Sequence, residues 1–532
     1  GYPRSFLLPP IFCLRANLSR VASAMLFNDA SAKHISLLEF LVGFFTSTLA
    51  VLFIFYGFSL RADVRPQSVT SSSLEFQQCF NEGVSDHLVD SDLRVVLVLI
   101  DAWRMSFLSD SDSPMVFLRD SITSGRGVVF KANVQIPTVT MPRIKALTSG
   151  VVPSLVSLLG NFMASESGED SWVTSASSAG RRIAFFGDDT WLRLYPDAFV
   201  ETDGVTSFFV NDFTEVDNNV TRHLDSVLIS RDWDVLILHY LGLDHVGHSL
   251  GGRSPHISIK LREMDDIVRQ IYTVVSAHSP LLLVVVGDHG MTDAGSHGGG
   301  SEAETKVPMV FIHSRAVIKQ GGDFDAIETA EQVDFASTVP FFLRVPIPSG
   351  SIGLSLIPEL ASHWLLSDFT VFSAAFQSAV HFSRFTEDST LVALSNMHGD
   401  ERCEMAKTFT SYAKGRLAME ENRQAQRKII QSQEQAFRWP VLILLTLAIS
   451  FISFSGIYRG RIGGGLKSRT ENLPCEIPDY SAYAVFLLYH LSCYSTSLIE
   501  EEHDTCTPGL EVVPAEQQPY RKEVIWSSGK IC

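Results

Sequence analysis

Short apolar runs punctuate the middle of the chain: "LRVVLVLID" (93–101), "RRIAFFGDD" (181–189), "DWDVLILHYLGLD" (232–244), "LLLVVVGDHG" (281–290) and "KVPMVFI" (306–312). They are continuous and rich in Val, Ile, Leu and Phe, as strands buried on both faces of a parallel sheet are. Between two of them, "PHISIKLREMDDIVRQIYTVVSAH" (255–278) repeats apolar residues every three or four positions beside a charged face, the pattern of an amphipathic helix. The expected fold is α/β: a largely parallel sheet flanked by helices.

Two longer apolar stretches lie outside this pattern. "ISLLEFLVGFFTSTLAVLFIFYGFSL" (35–60) carries Glu39 as its one charge, and "WPVLILLTLAISFISFSGIY" (439–458) carries none. At ~1.5 Å rise per residue each is long enough to cross the hydrocarbon, so transmembrane helices are expected at both ends of the sheet domain. The first reads as a retained signal anchor, because no small-residue cleavage site follows it. Arg4, Arg15, Arg20 and Lys33 precede it, while Arg459, Arg461, Lys467 and Arg469 follow the second stretch, which puts both outer flanks on the cytoplasmic side. The expected organisation is therefore a cytoplasmic segment at 1–34, a span at 35–60, a lumenal domain at 61–438, a span at 439–458 and a segment at 459–532 with a weaker apolar stretch, a possible partial span, at 483–499.

Composition agrees with a membrane protein: 45% of the 532 residues are hydrophobic and only 19% charged. The formal net charge of −17 excludes a typical nucleic-acid binder, which needs basic patches to displace counterions from phosphates. Asn219-Val220-Thr221 is a glycosylation sequon, usable only in a secretory lumen. The segment between the spans holds two of the seven cysteines, Cys79 and Cys403, which can pair in an oxidising compartment or stay free thiols.

Ligands of open parallel sheets sit beyond the carboxyl ends of the strands. Asp101, then Asp244 with His245 and His248, then Asp288 with His289, each follow an apolar run. One such acid is an ordinary turn or cap residue. Three strand ends, two with histidines, make the ligand set expected for zinc or a similar divalent ion, and two ions would share it. Asp244 and His248, four apart, can reach one ion. His245, adjacent to Asp244, points elsewhere and supports the ligands or simply lies in the loop, and His239 inside the apolar run reads as a core or supporting residue. Asp288 and His289 can serve one ion if the chain bends sharply, which Gly287 and Gly290 permit. The glycines of "GSHGGG" (295–300) allow His297 to return to the site. A nucleophile is expected in "QIPTVTMPRIKALTSG" (135–150), where Pro142 in a first helical turn sets Thr140 at or next to the N-cap, with Thr138 as the alternative. A hydroxyl there meets the positive helix end, which suits a bound phosphate and an alkoxide.

The phrases "VLVLIDAWR", "PTVTMPRIKALTSG", "FFGDDTWLRLYPDAF", "WDVLILHYLGLDHVGH" and "VVVGDHGMTDAGSHGGG" resemble, in order, those of the alkaline phosphatase superfamily, on the branch of type I phosphodiesterases and nucleotide pyrophosphatases. Within that branch the chain is similar to the GPI ethanolamine phosphate transferases. The resemblance implies that Asp101, Thr140, Asp288 and His289 hold one metal, with Thr140 as nucleophile, that Asp244, His248 and His297 hold the other, and that Asn161 helps bind the phosphoryl oxygen. No cysteine lies near Thr140, so the sulfatase branch is disfavoured. It further implies transfer of ethanolamine phosphate from phosphatidylethanolamine to a mannose of the GPI glycan, the second one expected, in the endoplasmic reticulum membrane. The partners are then the two lipids and the membrane, with room for a small membrane subunit and none for nucleic acid. Family members continue into a long multi-span region, whereas here the sequence turns polar from about Cys506, so a truncated membrane region is expected. Two other functions stay open: a membrane-anchored phosphodiesterase releasing to water, and an inactive scaffold.

Overall fold

The computed structural model describes residue 88 and residues 92–152, 170–205, 211–230, 232–382, 385, 400–414 and 423–431. The apolar stretches at 35–60, 439–458 and 483–499, together with Asn161 and Cys79, lie outside the described residues. Among the described residues no helix is long and apolar enough to cross a membrane. Cys403 is disulfide-bonded.

The strands are β1 (Arg94–Ile100), β2 (Gly127–Asn133), β3 (Ile183–Asp188), β4 (Glu201–Val205), β5 (Val235–Tyr240), β6 (Leu281–Gly287), β7 (Lys306–His313) and β8 (Glu328–Glu331). They form one sheet in the order β4-β3-β5-β1-β6-β7-β2-β8. Only β7 runs against the rest, antiparallel to both β6 and β2. The helices that matter for the site are α1 (Val116–Thr123), α2 (Thr140–Ser149), α3 (Glu215–Thr221), α4 (Gly242–Leu250), α5 (Pro255–Ser276) and α6 (Phe335–Leu343).

The continuous apolar runs are explained by two cores, one on each face. Val95, Leu97 and Leu99 of β1 pack with Ile144 and Leu147 of α2 and Val339 of α6. Their neighbours Val96, Val98 and Ile100 face the opposite way, onto Leu118 of α1, Val246 of α4 and Ile267 of α5. Both faces of a central strand are therefore buried. Truncating one fully buried leucine, such as Leu283→Ala in β6, costs about 2–5 kcal/mol. The amphipathic pattern at 255–278 becomes α5, with Ser254 capping through the His256 N–H and Pro255 in the first turn. The pattern missed β4 and β8, which are short and largely polar, β2, whose apolar run Val128–Phe130 ends in Lys131 and Asn133, and the reversal of β7, since a buried run looks alike in either direction.

Strand register positions the site. Ile100, the last residue of β1, lies level with Tyr240 of β5 on one side and Gly287 of β6 on the other. Asp101 and Asp288 therefore leave adjacent strands at the same height, while β5 passes through Leu241 into α4, which carries Asp244 and His248.

Candidate metal centre

Two clusters of metal-type donors stand at these strand ends: Asp101, Asp288 and His289, all buried, and Asp244, His248 and His297, nearer the surface. In the first, His289 Nε2 lies 3.4 Å from Asp101 Oδ1 and 3.2 Å from Asp288 Oδ2. In the second, His248 Nε2 and His297 Nε2 are 2.9 Å apart, and each is 3.4 Å from Asp244 Oδ1. The rings of His289 and His297 stack at 4.0 Å between centroids, so the clusters adjoin. Asp244 and His248 share a face of α4 at the i,i+4 spacing.

The imidazoles are oriented from behind. His289 Nδ1 is 3.0 Å from the Gly290 carbonyl and His297 Nδ1 is 2.9 Å from the Thr138 carbonyl. A carbonyl only accepts, so both Nδ1 atoms carry protons and both Nε2 lone pairs face the cluster, the tautomer a metal ligand needs. His239, fully buried, accepts from Trp191 Nε1–H at its Nδ1 (3.2 Å), which turns its Nε2 toward Asp101 Oδ2 at 3.3 Å. His245 is held away from the clusters, its Nδ1 2.8 Å from the Asp212 carbonyl.

Backbone geometry completes the first cluster. Ala102 adopts φ 57°, a left-handed conformation rare outside glycine, and its N–H donates to Asp288 Oδ1 at 3.1 Å. The chain bends at Asp288 as expected, without positive φ at Gly287 or Gly290, and both glycines also permit close packing. A Cβ would lie 2.6 Å from the Trp103 carbonyl oxygen at Gly287 and 2.0 Å from that of Ala303 at Gly290.

Thr140 opens α2, directly after the extended N-cap Val139. Its hydroxyl donates to Asp101 Oδ2 at 3.2 Å and lies 3.5 Å from His289 Nε2. Thr138 is fully buried and its hydroxyl is used structurally, accepting from Gly298 N–H and donating to the Gly299 carbonyl, both at 2.8 Å. It thus clamps the glycine loop that presents His297.

Electrostatics fit a divalent cation. Asp101 Oδ1, Asp244 Oδ1 and Asp288 Oδ2 are buried oxygens with no hydrogen-bond donor. Burial, with Asp244 and Asp188 beside it, holds the Asp101 carboxyl well above the usual carboxylate range. Burial and the nearby Asp101 do the same to Asp288. Burial holds His289 well below the usual imidazole range and lowers His248 and His239 too, disfavouring the charged form of each ring. Converging acids that repel one another, beside such imidazoles, are what a hard or borderline cation compensates.

Several supports were not foreseen. Asp188, buried at the end of β3, accepts from the N–H and hydroxyl of Thr190 at 3.0 Å. It is the first of the two aspartates that close "RRIAFFGDD" and could have been found by the same strand-end rule. Gln332 donates to the Asp288 carbonyl at 2.5 Å, and Glu304 accepts from Gly299 N–H at 2.6 Å. Nothing in their local sequence marks either.

Residues 95–309 match the family described as type I phosphodiesterase / nucleotide pyrophosphatase. The human "GPI ethanolamine phosphate transferase 2, catalytic subunit" is 47% identical over 272 residues, which are 50% of this chain and 28% of that protein. GPI ethanolamine phosphate transferase 2 of Aspergillus fumigatus is 41% identical over 288 residues, 51% of this chain and 37% of that protein. The Schizosaccharomyces pombe protein of the same name is 36% identical over 441 residues, 77% of this chain and 54% of its own length. The chain thus spans between about a quarter and about half the length of these relatives. Among solved structures, the integral membrane protein lipooligosaccharide phosphoethanolamine transferase A from Neisseria meningitidis is 15% identical, with 48% of this chain and 55% of that chain covered at a TM-score of 0.37. The resemblance drawn from the motifs is thereby established: this chain is a homologue of GPI ethanolamine phosphate transferase 2, carrying a type I phosphodiesterase / nucleotide pyrophosphatase segment at residues 95–309.

Proposed function

We propose that the chain transfers ethanolamine phosphate from phosphatidylethanolamine to a mannose of the GPI precursor, the second mannose, with Thr140 as nucleophile. The observation that carries this is the Thr140 hydroxyl, set at the start of a helix and 3.2 Å from Asp101 Oδ2 beside two clusters of metal-type donors. In this reading Asp101, Thr140, Asp288 and His289 hold one divalent ion and Asp244, His248 and His297 the other, with zinc favoured by the mixed imidazole and carboxylate donors. When bound, such a pair lowers the pKa of a coordinated hydroxyl and offsets charge on a transferring phosphoryl group.

The chain's own groups divide the work. Thr140 Oγ forms a bond to phosphorus as the diacylglycerol oxygen leaves, and its hydrogen bond to Asp101 marks the exit path of its proton. The start of α2 offers its positive end to the phosphoryl oxygens. Asn161 would add a donor to them. The mannose hydroxyl then displaces Thr140 from phosphorus. Net, the mannose oxygen replaces the glycerol oxygen, and the sugar's proton ends on diacylglycerol. Both substrates are lipids, which suits a lumenal domain at 61–438 between spans at 35–60 and 439–458 in the endoplasmic reticulum.

The test is expression in cells that lack the type 2 transferase, with mass spectrometry of their GPI precursors. Side-branch ethanolamine phosphate on the second mannose is the expected result. Its absence despite good expression sinks the reading and favours the inactive scaffold. Thr140→Ala is expected to lose roughly 10⁴-fold or more in transfer, as loss of a covalent nucleophile does, while keeping the wild-type melting temperature. Full activity in Thr140→Ala with loss in Thr138→Ala would move the nucleophile to the other threonine.

A further inference from the structure

Helix α4 carries Asp244 and His248, yet nothing in its own sequence caps its start: Leu241 at the N-cap makes no side-chain hydrogen bond. The free N–H groups of a helix start must be met by some acceptor. Here the acceptor comes from another element. Asp217, fully buried on α3, takes Leu241 N–H at 3.1 Å and Gly242 N–H at 2.9 Å on its Oδ1. Its Oδ2 takes Lys260 Nζ of α5 at 2.7 Å, and Lys260 also reaches Glu263 at 3.0 Å. The fit is tight: a Cβ at Gly242 would lie 2.2 Å from Asp217 Oδ2 and 2.8 Å from Lys260 Cε.

We infer that the buried Asp217–Lys260 pair is a positioning device for the outer cluster: it pins the start of α4 and so holds Asp244 and His248 where, with His297, they bind a divalent cation. Three features support this. The carboxylate sits at the positive end of a helix, where its charge is favourable. Lys260 fixes it in place from the opposite side, so Asp217 is occupied and is not itself a ligand. Asp244 lies two residues, and His248 six, beyond the pinned Gly242, so any shift of that first turn moves both donors together. Asp101 follows β1, and Asp288 with His289 follows β6, so these donors are carried by other elements than α4.

The inference rests on the reading that Asp244, His248 and His297 hold an ion. Zinc titration of the full-length purified chain, with bound metal counted by mass spectrometry, separates the two claims. Wild type is expected to take two equivalents and His297→Ala one. Asp217→Asn is expected to lower affinity at one site by roughly 10–100-fold, the effect typical of removing a ligand's support, and to leave the other within about twofold. The site that persists in Asp217→Asn should vanish when His289→Ala is added. Gly242→Ala, which leaves Asp217 and Lys260 in place but removes the space between them and α4, should reproduce the selective loss.

If wild type and His297→Ala bind zinc alike, the outer cluster is no metal site and both claims fall. Should wild type take two ions and Asp217→Asn bind both as tightly, the positioning role alone is overturned. Equal weakening at both sites with a lowered melting temperature would also overturn it, since the pair would then be general support for the fold.

Discussion

Two buried acidic clusters sit on the same side of the sheet with opposite electrostatics. Around Asp334, every carboxylate oxygen of that residue is satisfied: Oδ1 accepts from Leu354 N–H at 2.8 Å and Gln426 at 2.7 Å, and Oδ2 accepts from Glu331 N–H at 2.9 Å and from Arg423. Arg423 reaches on to Glu359 at 3.1 Å. Around Asp101, one oxygen of each of three acids lacks a hydrogen-bond donor, and burial disfavours the charged form of the neighbouring His289 ring. The first cluster carries its own cation and serves stability. The second gathers carboxylates and imidazoles, a donor set suited to a cation taken from solution.

The sharpest way to break the contrast is to remove the internal cation. Arg423→Met should cost about 3–5 kcal/mol, because it leaves the Asp334 and Glu359 carboxyls without their cationic partner. Urea denaturation measures this, and a loss below about 1 kcal/mol would show that the cluster is not held by charge.

The converse experiment supplies the external cation. Zinc at ~1,000 times its Kd should stabilise the wild type by roughly 4 kcal/mol per site. Asp288→Asn should lose much of that gain, yet in metal-free buffer it should be no less stable than wild type, since it removes a charge that burial and Asp101 disfavour. Denaturation curves with zinc and with chelator decide; a metal-free loss as large as that of Arg423→Met would erase the distinction.

A titration sharpens the boundary between the regions. Glu331 accepts from Asn133 at 3.0 Å and Gln135 at 2.8 Å, and burial pushes its carboxyl up to about 7. Because the folded value lies above the unfolded one, the folded state binds the proton more tightly. The stability this group contributes is full below about pH 4.5 and is lost as pH rises through about 7, a change of up to about 3 kcal/mol. The difference in unfolding free energy between wild type and Glu331→Gln should therefore move against wild type across that window, and a flat difference would refute the assignment.

The smallest effect is expected at an exposed pair. Asp189 and Arg193 bond at 2.5 Å across one helical turn, but both are open to solvent, so Asp189→Ala should change stability by only about 0.5 kcal/mol or less.

Legibility from sequence followed the same division. Asp101, Asp244, His248, Asp288, His289 and His297 stand out because each closes or follows a hydrophobic run or sits among glycines, and local pattern suffices to find them. Thr140 stands out by its proline-marked helix start. Asp334 with Arg423, and Asp217 with Lys260, carry no such signal: their partners lie 89 and 43 residues apart and occupy ordinary helical positions. The glycines at 287 and 290 were legible beside the bend at Asp288, whereas their close packing against Trp103 and Ala303 was not.

By itself the sequence determined the strand-forming runs, the long amphipathic helix and the identity of the polar residues at the strand ends, because burial on two faces and helical periodicity are written locally. Only the tertiary structure decided which of those residues meet. The register that levels Ile100 with Tyr240 and Gly287, the left-handed turn at Ala102, and the tautomers fixed by the Gly290 and Thr138 carbonyls all depend on contacts between distant segments. Strand pairing and helix capping from afar minimise the free energy of the whole chain, and no single stretch encodes them.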